Sequence, residues 1–237
     1  MNTEKFSKTV VFCVTGKEYS PEFMKSWTEI VAYCLMNNIK PILSINELNY
    51  FTSKMQLVQS NSEINVPFND NIQYDYIIFM NSSCLVNSNI VKELIAHELD
   101  IVSCLTFNKN SLEQSNYLEK FDLNNSTTAS YSYDNMERPN QMLKEYKEYL
   151  DSKTDISDND VKDEEPSTLL KVDHVDFTVV CIKKGVFEKL PLPWFNFEQK
   201  TNDLTGEVYF CNKCKAAGID IHVDVKLRAS SVKSVIL

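Results

Sequence analysis

The chain has 237 residues, 43% of them hydrophobic, which is a globular composition long enough for one large domain or two small ones. The formal net charge is −9 and the isoelectric point about 4.9, which argues against a nucleic-acid binder, because that work wants a basic surface. No apolar run approaches ~18 residues and the first residues lack an apolar leader core. The expectation is therefore no membrane span, no signal peptide and a cytoplasmic location.

Residues 8–15 (KTVVFCVT) read as a buried strand, apolar almost throughout. A helix follows, with Ser20 as N-cap, Pro21 in the first turn and Phe23, Trp27, Ile30, Val31 and Cys34 as its apolar stripe. Asn37 and Asn38 end it, and residues 40–45 form a second strand. This β-α-β order predicts a parallel sheet with right-handed crossovers. Residues 51–60 suggest a short helix carrying Lys54.

The stretch 74–107 is a second β–loop–α–β unit. The apolar run 76–80 (YIIFM) reads as a strand buried on both faces and stops abruptly at Asn81-Ser82-Ser83. A helix capped by Asn87 or Ser88 carries Ile90, Val91, Leu94 and Ile95, and residues 100–105 return as strand. Ligands of open α/β sheets sit beyond the carboxyl ends of such strands, so the 81–83 loop is the first place to look for chemistry.

Residues 124–128 are polar loop and 140–150 a charged helix. The stretch 151–165 holds seven acids against two lysines and reads as a solvated loop. Residues 171–183 read as one strand, 185–190 as a helical turn and 191–195 (PLPWF) as a rigid aromatic turn. Residues 206–217 form a helix ended by Gly218, 219–225 a strand and 227–237 an extended tail. The seven cysteines are scattered through apolar runs and their number is odd, which fits reduced, buried thiols. Cys211 and Cys214 form the only close pair, and helical spacing makes them a helix face before a zinc or redox site.

Five of these stretches, in order, resemble GT-A-fold glycosyltransferases, especially the small nucleotide-sugar-dependent kind of large DNA viruses and some microbes. Residues 10–44 are similar to that family's first β-α-β. Residues 53–58 (SKMQLV) stand where it has an Ala-Arg-Asn type motif, and 75–86 (DYIIFMNSSCLV) where it has a strand followed by Asp-x-Asp. Residues 175–195 resemble a Gly-rich strand, helical turn and Pro-Trp-Phe, and 205–237 a Glu-Asp helix, strand and terminal Gly-His tail. The resemblance implies a single GT-A-like, Rossmann-like domain, with a mostly parallel sheet flanked by helices. Residues 1–107 would be its nucleotide-binding half, 108–168 a variable insertion and 169–237 its acceptor-side half. It also implies a nucleoside diphosphate sugar, with UDP or GDP as the nucleotide, as donor. The acceptor would be a glycan or a protein.

In that family a Mn2+ or Mg2+ ion, held by the Asp-x-Asp carboxylates and often a C-terminal His, neutralises the departing diphosphate. Here those positions are Asn81, Ser83 and Ser231, so two formal negative charges are missing from the cation's shell. Glu207 matches the acceptor-side acid and suits a general base on an acceptor hydroxyl, or an ordinary first-turn glutamate. Asp176 and Thr178 stand where glycines would leave room for the sugar. Lys54 replaces an arginine and offers phosphate a point charge without the bidentate fork. Lys233, in the tail, is placed to reach a diphosphate without metal. Trp194 fits either stacking on an acceptor or core filling. These substitutions favour altered or lost metal-dependent catalysis. An active, metal-independent transferase and a non-catalytic glycan-binding or interaction module are the alternatives.

Overall fold

The computed structural model describes residues 6–16, 18–46, 65–108, 137–154, 165–175, 177–195 and 206–231. The helix expected over 51–60, the loop 124–128, most of the acidic stretch, and the residues Lys54, Asp176 and Lys233 lie outside them. The strands are β1 (Lys8–Thr15), β2 (Ile39–Asn46), β3 (Tyr76–Asn81), β4 (Cys84–Leu85), β5 (Ile101–Asn108), β6 (Leu169–Val172), β7 (Val179–Lys183) and β8 (Ile221–Ser231). The helices are α1 (Pro21–Met36), α2 (Ser88–Ala96), α3 (Glu137–Thr154), α4 (Val186–Lys189) and α5 (Gly206–Ala216).

One eight-stranded sheet organises the chain, in the order β2-β1-β3-β7-β5-β8-β4, with β6 also paired to β8. β1 lies parallel to β2 and β3, β5 lies parallel to β8, and β7 is inserted antiparallel between β3 and β5. Five strands thus share one direction, while β4, β6 and β7 oppose them. The architecture is α/β, Rossmann-like, in one sheet with helices on both faces.

The helix ends follow from local chemistry. Ser20 accepts the Phe23 N–H at 3.1 Å and Asn87 accepts the Ile90 N–H at 2.9 Å, each satisfying a donor the helix leaves free. Gly218 takes φ +72° after α5, a conformation that costs glycine nothing. Strand alternation sorts the core into two layers. Val10, Phe12, Val14, Ile78 and Met80 face α1 and α2, meeting Phe23, Ile30, Val91 and Leu94. Val11, Cys13, Ile77 and Phe79 face the other way, toward Phe187 of α4 and Phe210, Cys211 and Cys214 of α5. Burying an aromatic or aliphatic side chain of this kind is worth roughly 1.5–3 kcal/mol.

Two expectations change in detail. The run 171–183 is two strands, because its halves pair with different partners: β6 with β8, β7 with β3 and β5. Between them Asp173 pairs with Lys215, and His174 lies 2.9 Å from Asn212 of α5, drawing the chain out of the sheet. The last strand runs on to Ser231 through a bulge. Asp224 pairs with Cys104, but the next pair is Leu105 with Arg228, so three residues of β8 are extra. An odd insertion reverses the alternation: Val223 and Val225 face α5, whereas Leu227 and Ala229 face the opposite layer. No helix among the described residues is long and apolar enough to cross a membrane.

Candidate functional site

The carboxyl ends of β1 and β3 lie side by side, with Thr15 in register with Asn81. The Ser82 N–H donates to the Thr15 carbonyl at 2.8 Å, and the Asn81 N–H to the Thr178 carbonyl at 3.1 Å. Gly16 has φ +153°, and a Cβ there would fall 1.7 Å from the Ser82 hydroxyl oxygen, so only glycine fits this crossing. Asn81 closes its own turn. Its side-chain oxygen accepts the Ser83 N–H at 3.0 Å and the Ser83 hydroxyl at 3.2 Å. A hard divalent cation wants charged oxygens. This turn offers only neutral side-chain oxygens, the amide oxygen of Asn81 already accepting two hydrogen bonds, and is a poor fit for such an ion.

The fold brings other sequence-singled positions to this end. β4 follows the turn directly, and its Cys84 is in register with Ser231 of β8. Asn81, Ser83 and Ser231, 150 positions apart in the chain, therefore converge. Glu207 arrives from α5. It is one member of a stripe, with Phe210, Cys211 and Cys214, that is buried against the sheet. The Phe210 ring lies 5.4 Å from Phe177, whose neighbour Thr178 is bonded to Asn81. Glu207 is one turn earlier than Phe210, and is only 9% exposed. Trp194 is elsewhere: it is buried against Phe187, and its indole N–H donates to the Leu190 carbonyl at 3.2 Å, which is core packing. Cys211 and Cys214 are buried thiols, Cys211 donating to the Val175 carbonyl at 3.8 Å, and burial pushes the Cys214 thiol up, away from the thiolate that metal or redox work requires. No group of three or more His, Cys, Asp or Glu side chains at metal-holding spacing occurs among the described residues.

Burial identifies further polar residues. Among the described residues eight polar or charged side chains are buried, and four of them, Thr15, Asn81, Ser82 and Thr178, stand at this one end of the sheet. Buried polar groups are expensive, so their concentration marks the place. The Thr15 hydroxyl is enclosed and has no hydrogen-bond partner. Its only sequence signal is a polar residue closing an apolar strand. A second polar pair lies beneath α2. His97, which ends that helix, meets the fully buried Asp224 at 2.9 Å. His222, two residues earlier on β8, keeps a buried Nδ1 without a partner, and burial depresses its pKa.

No family model and no curated protein matches the chain. Among solved structures it is similar to A197 from STIV, at 12% identity and a TM-score of 0.49, over 96% of this chain and 86% of that one. It is also similar to a mycobacterial protein, at 9% identity and a TM-score of 0.43, over 98% of this chain and 70% of that one. Likeness of this degree assigns neither a family nor an activity.

Proposed function

We propose that this chain is a glycosyltransferase-like protein of the cytoplasm, related to nucleotide-sugar-dependent transferases, whose metal-dependent catalysis is altered or lost. The observation that carries the reading is the convergence of the Asn81–Ser83 turn and Ser231 at one end of the sheet, with the buried Glu207 on α5 one turn before Phe210. That convergence supports a sugar-nucleotide pocket. The uncharged side chains at three of its positions support the loss of a cation. The nucleoside diphosphate would lie over the turn, and a glycan or protein acceptor on the α5 side.

A second reading keeps activity without metal. The burial of Glu207 toward the sheet favours it, because a general base works from inside a pocket rather than from solvent. Lys54 and Lys233 would then supply the charge that stabilises the departing diphosphate.

Calorimetric and thermal-shift titration with UDP and GDP, with and without manganese, tests both readings. A genuine donor site stabilises the fold by roughly 2–3 kcal/mol at a hundredfold excess over the dissociation constant. We expect one nucleotide to bind equally well with and without manganese, and Asn81→Asp/Ser83→Asp to make its binding manganese-dependent. Tighter binding of wild type with manganese would overturn the loss of metal dependence. No binding of either nucleotide would overturn the pocket.

A further inference from the structure

Among the described residues seven large hydrophobic side chains are exposed, and six of them come from one edge of the molecule. Met24, Leu35 and Met36 are on α1, Leu43 and Ile45 on β2, and Phe6 just before β1; they are 40–86% exposed. The Ser7 N–H and hydroxyl both donate to the Asn38 carbonyl, at 2.9 and 3.0 Å, which brings Phe6 to the Met36 end of α1. Phe23, Ile30 and Cys34 turn α1 toward the sheet, and Ser26, whose hydroxyl donates to the Val86 carbonyl, marks the side that faces the start of α2. Met24, Thr28, Val31 and Leu35 recur at helical spacing on the opposite flank. The Thr28 hydroxyl is turned back to the Met24 carbonyl at 2.8 Å. β2 is the last strand of the sheet on that side, and Leu43 and Ile45 are in register with Phe12 and Val14, which face α1. They therefore stand beside the flank of α1 and continue it.

This strip carries no charge. Glu22, Lys25 and Glu29, the charged residues of α1, are on its other sides, and Lys40 alternates to the opposite face of β2. At roughly 200 Å² for a large apolar residue, the six leave about 600 Å² open. That is the upper end of the roughly 300–600 Å² found for the largest patch of a monomer, and most of the roughly 800 Å² that each partner of a stable pair buries. A two-fold contact sets a face against its own copy, so a charged face repels itself. In a chain of net charge −9 an uncharged apolar strip is where two copies meet without that cost. An anionic bilayer asks instead for a rim of Lys and Arg, which this strip lacks.

We propose that the Met24–Leu35 flank of α1, with Leu43 and Ile45 of β2, is the interface of a homodimer. The contact is made by side chains rather than by extending the sheet. The Thr9 N–H donates to the Asp75 carboxylate at 2.6 Å and its carbonyl accepts the Asp75 N–H at 2.8 Å, so Thr9 turns toward β3 and its neighbour Val10 toward β2. Val10 then bonds residues 40 and 42, which leaves Pro41, with no N–H to offer, in the outward row of the edge strand. The inference is independent of the function proposed above.

Sedimentation equilibrium of wild type, Leu35→Lys, Ile45→Lys and the control Leu150→Lys tests it. Leu150, the seventh exposed side chain, is on α3, away from the strip. The expected wild type is a dimer at about 50 µM, with twice the chain mass of 27.3 kDa. Each lysine on the strip would raise the dimer dissociation constant about tenfold or more, because the two-fold introduces it twice. Leu150→Lys should leave that constant unchanged. Leu35 and Ile45 are exposed and on different elements, so each variant should keep the wild-type circular dichroism spectrum. A dimer that persists unchanged in both lysine variants would overturn this face. Wild type that stays monomeric at about 50 µM would overturn the dimer. Monomeric wild type that co-sediments with phosphatidylcholine vesicles, and ceases to in Ile45→Lys, would give the face to lipid and overturn the dimer as well.

Discussion

Replacing His97 by alanine probes the pair that ties α2 to the sheet. Asp224 is fully buried, and a carboxylate can only accept, so the His97 Nε2 carries the proton shared at 2.9 Å with one of its oxygens. The other oxygen accepts the Lys226 N–H at 3.0 Å, a backbone donor released from the ladder by the bulge of β8. His97→Ala leaves that carboxylate with half of its partners. Stranding a buried acceptor costs about 1–3 kcal/mol, and removing one member of a buried ion pair about 3–5 kcal/mol. His97 is 16% exposed and water can reach part of the gap, which places the expected cost near the overlap, about 3 kcal/mol. For a chain of this size that lowers Tm by about 6–12 °C. Urea unfolding at pH 7 of wild type, His97→Ala, Asp224→Asn and the double variant measures it. The double variant should cost about 1–3 kcal/mol less than the sum of the singles, because the unpaired charge is then absent. Additivity within ~0.5 kcal/mol would mean that the two side chains do not depend on one another.

Two further outcomes follow from the same geometry. Gly16→Ala should destabilise by about 1–3 kcal/mol, because the new methyl collides with both Oγ and Cβ of Ser82 at a φ that L-residues avoid. Ser82→Gly in the same chain should restore part of that loss in urea unfolding, and a neutral Gly16→Ala would refute the crossing. His222 gives a pH dependence. Burial, then the charges of Lys171 and His97, hold its folded pKa below the ordinary 6.5, with Asp220 opposing. The unfolded chain therefore binds the extra proton first, and stability falls as pH drops below 6.5 toward the lower folded value. His222→Gln should flatten the Tm-versus-pH curve in that window, and an unchanged slope would show that His222 does not cause it.

Much of the scaffold could be read from local pattern. The runs 8–15 and 76–80 are apolar on both faces because they become central strands, and Ser20, Asn87 and Gly218 act within one turn of their own position. The absence of carboxylates at Asn81, Ser83 and Ser231 is likewise a property of the sequence. The burial of Trp194 was one of two readings, and packing against Phe187 chose between them.

What pairing across the sheet decided was invisible to periodicity. The run 171–183 breaks because β6 and β7 serve different neighbours, and β8 reverses its alternation because three residues have no partner on β5. His97 and Asp224 meet across 127 positions, and the Thr15 hydroxyl is enclosed without a partner beside the crossing of Ser82 and Gly16. The sequence by itself determined which segments are strands and helices, because propensity and capping act over a few residues. Tertiary structure decided which polar groups are buried together, because desolvation depends on neighbours that the chain supplies from far away.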